Sequence, residues 1–248
     1  SDTPIPGNPL TEIVTTDPLT GIPFAGSVGN MIEHLGNLRH VHGVHMYSGG
    51  DYLIPATVSS TVLTQLQQLP GNQFDFYLHP AAEHMSYYLL DNWQKESVAL
   101  GQARLVRNPP WVSYRTNPRI GNERLDIRHD RAYWVSQIRG VANDFIDVQL
   151  HSLGCGKPEP VLTDSTDAGS DPVPWLGSHR QASSWTPVPA TNQLSGSLSN
   201  VASLSIDMDG ACLRAGLGFD ISSDTAAVLQ FSDGRSLSLQ AGRNQGVF

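Results

Sequence analysis

Between residues 40 and 100 the apolar and polar positions follow two periods in turn. Val41 to Tyr47 reads as a strand, with Val41, Val44 and Met46 set among histidines. Thr57 to Leu69 reads as a helix. Val58, Val62, Leu66 and Leu69 fall on one face at helical spacing, Pro55 stands just before the first turn, and Pro70-Gly71-Asn72 ends it. Phe74 to Leu78 is an aromatic and aliphatic run of strand type, and Ser86 to Leu100 reads as a second helix with Ser86 as N-cap. Strand, helix, strand, helix predicts a parallel sheet with crossover helices. Residues 1–30, rich in Pro, Gly and Thr, read as extended chain with turns at Asp17-Pro18 and Leu19-Thr20-Gly21. Met31 to Leu38 reads as a short helical turn.

After Asn108-Pro109-Pro110 the period changes to two. Trp111–Arg115, Ala132–Ile138, Phe145–Leu150, Val201–Ile206, Gly218–Ile221, Ala227–Phe231 and Ser236–Leu239 are predicted strands, with Asp209-Gly210 and Asp233-Gly234 where tight turns are needed. Residues 156–198, dominated by Gly, Pro, Ser, Asp and Thr, are predicted to form a long loop pinned by Trp175 and Trp185. The expected organisation is α/β over residues 1–108 and an all-β, sandwich-like accessory domain over 109–248.

Charge divides the chain near the same place. Residues 1–100 carry nine acidic and two basic residues, whereas 101–248 carry fourteen and thirteen. Eight arginines fall between Arg104 and Arg139, which reads as a salt-bridged surface where the β-rich part meets the acidic first part. The net charge of −8 and the scattered basic residues argue against a nucleic-acid partner. With 39% hydrophobic residues the chain can bury a real core, yet its apolar runs fall well short of the roughly 18 residues of a membrane span. The polar start Ser1-Asp2-Thr3-Pro4-Ile5-Pro6 reads as a processed or trimmed end rather than a signal peptide. Two cysteines, Cys155 and Cys212, fit either a disulfide in an exported protein or two buried thiols. No Cys-x-x-Cys and no Asn-x-Ser/Thr is present.

The chemistry concentrates in two loops. Gly49-Gly50-Asp51-Tyr52-Leu53-Ile54-Pro55 follows the first strand, and His79-Pro80-Ala81-Ala82-Glu83-His84 follows the second. One strand–helix–strand unit separates Asp51 from His84, which places both at neighbouring strand ends. Acyl transfer by a serine hydrolase needs a nucleophile, a base and an orienting carboxylate. Here Asp51 is expected to hold the Nδ1–H of His84, leaving Nε2 to face a serine. His79 is a rival base and Glu83 a rival acid. The bland alternative for His84 is a loop histidine capping the next helix.

These two loops together resemble the C-terminal end of the α/β-hydrolase fold, in which the triad acid and base follow the last two core strands. The likeness covers roughly residues 20–105. The stretch Asp130-Arg131-Ala132-Tyr133-Trp134-Val135-Ser136 resembles the β-rich appendage of large secreted bacterial hydrolases of this type. The resemblance implies a chain that is the C-terminal portion of a secreted or periplasmic serine esterase, with a peptidase as the runner-up activity and no cofactor. Its fold would be the C-terminal part of an α/β-hydrolase sheet followed by the β-sandwich-like domain. The family's Gly-x-Ser-x-Gly elbow occurs nowhere in the 248 residues. The nucleophilic serine is therefore expected on an N-terminal chain or segment of the same hydrolase, which becomes the expected partner beside an ester or peptide substrate. Ser27 and Ser48 are poor substitutes: the glycines around Ser27 lack the elbow's spacing, and Ser48 lies in the acid loop itself.

Other readings compete. His40, His42 and His45 invite a metal reading, in which His40 and His42 share one strand face and could grip zinc with a third ligand. Asp164, Asp167 and Asp171 could bind calcium, though their spacing is not that of an EF-hand loop. A non-catalytic protein binding carbohydrate or a polymer would use Trp111, Trp134, Trp175 or Trp185. An exposed row of tryptophans would favour that reading.

Overall fold

The computed structural model describes residues 29–54, 56–84, 93–104 and 106–248. In chain order its strands and α-helices are β1 (Gly43–Ser48), α1 (Ala56–Gln68), β2 (Phe74–His79), α2 (Gln94–Gln102), β3 (Trp111–Thr116), β4 (Val135–Gly140) and β5 (Ile146–Ser152). They continue as β6 (Glu159–Gly169), β7 (Trp175–Thr186), β8 (Gln193–Ser199), β9 (Val201–Ile206), β10 (Gly218–Ser223), β11 (Ala227–Phe231), β12 (Ser236–Leu239) and β13 (Gly242–Val247). The chain divides into two compact units: residues 1–105 with 160–185, and residues 106–159 with 186–248.

The first unit holds a four-stranded sheet in the order β1-β2-β7-β6. β1 and β2 run parallel, with Gly43 level with Phe74 and Ser48 level with His79. The crossover between them is α1, whose Val62 and Leu66 are fully buried while its Val58 and the following Leu69 are half-buried. Val62, Leu66 and Leu69 meet Leu35 of the 3-10 helix Met31–Leu38 and Phe74 and Phe76 of β2 in one apolar cluster. Asn30 caps that 3-10 helix by accepting the Ile32 N–H at 3.1 Å. The equal register of β1 and β2 makes the strands end level, so the loops that follow them emerge side by side.

The second unit holds two sheets, β13-β10-β8-β5-β3 and β12-β11-β9-β4. Their inward residues, among them Val148, Leu150, Leu194 and Ile221 from one and Val135, Leu204 and Leu229 from the other, form a single buried cluster. The chain passes from the first sheet to the second between β8 and β9 and again between β10 and β11. Both repeats run the same way, so β8 pairs parallel with β10 and β9 parallel with β11. Asn200 makes the first corner with φ +56°, and Asp224 accepts the Ser199 hydroxyl at 2.6 Å and the Asn200 N–H. Trp134 is buried and donates its indole N–H to the Pro109 carbonyl at 2.8 Å.

The expected α/β-hydrolase sheet followed by a β-sandwich is not the fold. The protein is mostly β, and its described residues form three mixed sheets. Two features explain the difference. Residues 160–185, read as loop, form the long strands β6 and β7, and β7 adds to β2 antiparallel. In the second unit the parallel pairs β8–β10 and β9–β11 replace the wholly antiparallel pairing of a sandwich. The expected helix from Ser86 is described only from Gln94, as α2. Residues 85–92 lie outside the described residues, as do Pro55, Ser27 and the turns expected before residue 29.

Candidate functional site

The turn after β1 and the turn after β2 are knitted together through backbone groups. The Gly49 N–H donates to the His79 carbonyl at 2.8 Å, and the Gly50 N–H to the Ala82 carbonyl at 3.0 Å. Glycine is required by this closeness. A Cβ on Gly49 would stand 2.5 Å from the Pro80 carbonyl oxygen, and one on Gly50 would stand 2.9 Å from that of Ala82. Ser48, 2% exposed at the end of β1, adds a side-chain link by donating its hydroxyl to the Glu83 carbonyl at 2.9 Å.

This clamp carries Asp51 and His84. Asp51 Oδ1 accepts the backbone N–H groups of Leu53 (2.7 Å) and Ile54 (2.9 Å). Its Oδ2 lies 2.6 Å from His84 Nδ1. The carboxylate side chain is 7% exposed and the imidazole 34%. Burial alone would raise the Asp51 carboxyl. The Ile54 N–H, the His84 ring and the Leu53 N–H outweigh it and hold the group below its ordinary value. Asp51 is thus an ionised acceptor, which favours the tautomer of His84 with its proton on Nδ1 and leaves Nε2 basic. Such a pair can accept a proton from a hydroxyl or water placed at Nε2 and return it to a leaving group.

The rivals fall elsewhere. His79 is fully buried within β2, away from solvent. Glu83 is exposed, and its part in the clamp is its backbone carbonyl. Ser48 is too deeply buried for a substrate, and its hydroxyl proton is committed to that carbonyl.

The three histidines near β1 do not converge. His42 Nε2 lies 2.6 Å from Asp75 Oδ2. His45 is buried beside Gly43, and burial, then the nearby His42, push its imidazole below the ordinary value. Among the described residues no three or more ligating side chains are grouped to hold a metal. Asp164 is paired with Arg180 at 2.6 Å and Asp167 with His179 at 2.8 Å, so two of the three candidate calcium ligands are already engaged. The tryptophans form no row within either unit. Trp134 is buried, Trp111 is half-buried and stacked on His151 at 3.9 Å, and Trp175 packs edge-on against Tyr77 at 5.3 Å. Trp185 is exposed but lies ten residues along β7 from Trp175, about 33 Å at the usual strand rise.

One polar cluster was missed from the sequence. His179 of β7 has Nδ1 2.7 Å from Asp75 Oδ1 and Nε2 2.8 Å from Asp167 Oδ1, and Gln181 donates to Asp75 Oδ1 at 3.1 Å. Both ring nitrogens face carboxylate oxygens, which requires the imidazolium form. Burial lowers the affinity of His179 for a proton, but Asp167 and Asp75 raise it above the ordinary value. Burial likewise opposes ionisation of Asp75, yet the His42 and His179 bonds bring it down to about 2. Gly177 leaves the space: a Cβ there would stand 2.0 Å from Asp167 Oδ1. The available signal was a carboxylate in the apolar run Phe74-Asp75-Phe76, since a strand aspartate flanked by core residues needs a partner. The cluster ties β6 and β7 to β2, and its groups satisfy one another.

No family model, curated protein or solved structure matches this chain. Cys155 and Cys212 are joined in a disulfide with Cα atoms 5.1 Å apart. Among the described residues no helix is long and apolar enough to cross a membrane.

Proposed function

We propose that this chain supplies the acid–base half of a serine-hydrolase centre that cleaves carboxylic esters, in a secreted or periplasmic protein. His84 is the general base and Asp51 its orienting carboxylate. The nucleophilic serine comes from the N-terminal part of the same hydrolase. The observation that carries the reading is the 2.6 Å contact between Asp51 Oδ2 and His84 Nδ1, held by paired loops at level ends of two parallel strands. The reading rests on this pair and does not require the α/β-hydrolase sheet.

In the proposed reaction His84 Nε2 takes the serine hydroxyl proton as the oxygen attacks the ester carbonyl. The resulting imidazolium is stabilised by Asp51, and the proton then passes from Nε2 to the departing alkoxide. Water deacylates the enzyme by the same path in reverse. The disulfide supports an oxidising compartment.

The test begins with the intact mass of the natively purified protein, followed by labelling with a fluorescent fluorophosphonate. A co-purifying or contiguous N-terminal segment is expected to take the label, and His84→Ala is expected to abolish labelling. A preparation that takes no label, alone or with its co-purifying chains, overturns the proposal.

A further inference from the structure

Ser48 is a buried hydroxyl that the proposed chemistry does not use, and it donates to the Glu83 carbonyl, one residue before the general base. We infer that Ser48 is a positioning residue: by holding the Glu83 carbonyl, its hydroxyl fixes the turn that presents His84 to Asp51. The inference rests on the acid–base reading only for its significance; the geometry stands without it.

Asp51 is anchored on its own side of the contact. Its Oδ1 is fixed by the Leu53 and Ile54 N–H groups, so Oδ2 is already aimed. The other partner is set by the turn Pro80–His84. Three bonds tether that turn or its base to the end of β1: Gly49 N–H to His79, Gly50 N–H to Ala82, and the Ser48 hydroxyl to Glu83. The first two act two or more residues before the imidazole. The Glu83 carbonyl shares a peptide plane with the His84 nitrogen, and that plane is rigid. Holding the oxygen therefore fixes the direction in which His84 leaves the turn. Ser48 can do this because it is level with His79 in the β1–β2 register and is 2% exposed, so water does not compete for its proton. Serine suits the position: a larger side chain would meet the packed turn, and alanine would keep the packing but lose the bond.

The tautomer of His84 reports the pairing directly, without any substrate. Free imidazole favours the proton on Nε2, whereas a carboxylate at Nδ1 draws it to Nδ1. The full-length chain, labelled with nitrogen-15, is examined by long-range proton–nitrogen correlation above the histidine titration range. The His84 signals are assigned by their absence in His84→Gln. In the wild type the Nδ1–H form is expected to dominate. In Ser48→Ala the tautomer ratio is expected to move toward Nε2–H by about threefold to tenfold, the usual net worth of one hydrogen bond. The His179 ring signals should stay in place, which separates a local effect from general loosening. Ser48→Cys, nearly the same size with a weak donor, should shift the ratio the same way by less, and it serves if the alanine variant does not fold. An unchanged ratio in these variants overturns the positioning role alone. A shifted ratio with no fluorophosphonate labelling leaves the positioning role standing and removes the hydrolase reading. A wild-type His84 already in the Nε2–H form removes both.

Discussion

His84 Nδ1 and Asp51 Oδ2 stand 2.6 Å apart although 33 residues separate them, and Asp51 Oδ1 is fully occupied by two backbone N–H groups. The two oxygens of one carboxylate thus do different work: one anchors the loop, the other sets the histidine. Asp51→Asn separates these roles. The amide oxygen can keep the Leu53 and Ile54 bonds while its NH₂ faces Nδ1, which forces the proton of His84 to Nε2. Fluorophosphonate labelling and esterase turnover of the complete enzyme should fall roughly a thousandfold to ten-thousandfold, as when a triad carboxylate is neutralised. Thermal unfolding should change little. Turnover within tenfold of wild type would remove Asp51 from the mechanism.

The glycines of the clamp predict a stability effect with an internal control. Gly49→Ala drives a methyl group against the Pro80 backbone, with contacts of 2.5 Å to its oxygen and 3.0 Å to its Cα. Neither loop can give way without separating β1 from β2, so a loss of about 1–3 kcal/mol is expected in urea unfolding. Gly101, in the last turn of α2, has nothing within 4 Å of the added carbon. Gly101→Ala should therefore be neutral or stabilising by up to about 1 kcal/mol. If the two variants behave alike, the close approach of the two loops is wrong.

The Asp75–His179–Asp167 cluster makes the first unit sensitive to pH in both directions. Asp75 is held at about 2 against an ordinary 3.8, so its contribution is complete above the ordinary value and is lost as the pH falls toward about 2. His179 is raised above its ordinary 6.5, so its contribution is complete below 6.5 and is lost as the pH rises through the raised value. Stability from the cluster should be greatest between about pH 4 and 6.5. His179→Gln should flatten the alkaline decline in hydrogen-exchange protection of β7 amides. An unchanged alkaline decline in that variant would mean that other groups produce it.

How far the sequence could be read depended on burial. The β1–α1–β2 unit was legible because Val62, Leu66, Phe74 and Phe76 all face one core and so keep their period. The pairing of Asp51 with His84 followed from that unit, since level strand ends bring the two loops together. β6 was illegible for the converse reason. Most of its residues from Thr163 to Ala168 are polar and exposed, so no alternation marks it as a strand. It is held instead by side-chain pairs such as Arg180–Asp164 and His179–Asp167, which join residues 12 to 16 positions apart and leave no periodic trace. The parallel pairs β8–β10 and β9–β11 were equally hidden. Their residues alternate as any half-buried strand does, and alternation carries no information about direction.

The disulfide yields the last prediction. Cys155 and Cys212 are 57 residues apart in sequence, and the link spans β6 to β9, including the excursion of 160–185 into the other unit. A loop of that length is costly to close, and cross-linking it removes that cost from folding. The corner is also tightly packed: a Cβ on Gly154 would stand 2.1 Å from the Cys212 carbonyl oxygen, and Cys212 itself has φ +54°. Reduction, or the double variant Cys155→Ala with Cys212→Ala, should lower the stability of the second unit by about 2–4 kcal/mol. Hydrogen exchange followed strand by strand provides the readout. Protection should fall in β5, β8 and β9, which share one core, while β1 and β2, packed on a separate core, should keep theirs. Equal loss in both sets would remove the disulfide as a local brace of the second unit.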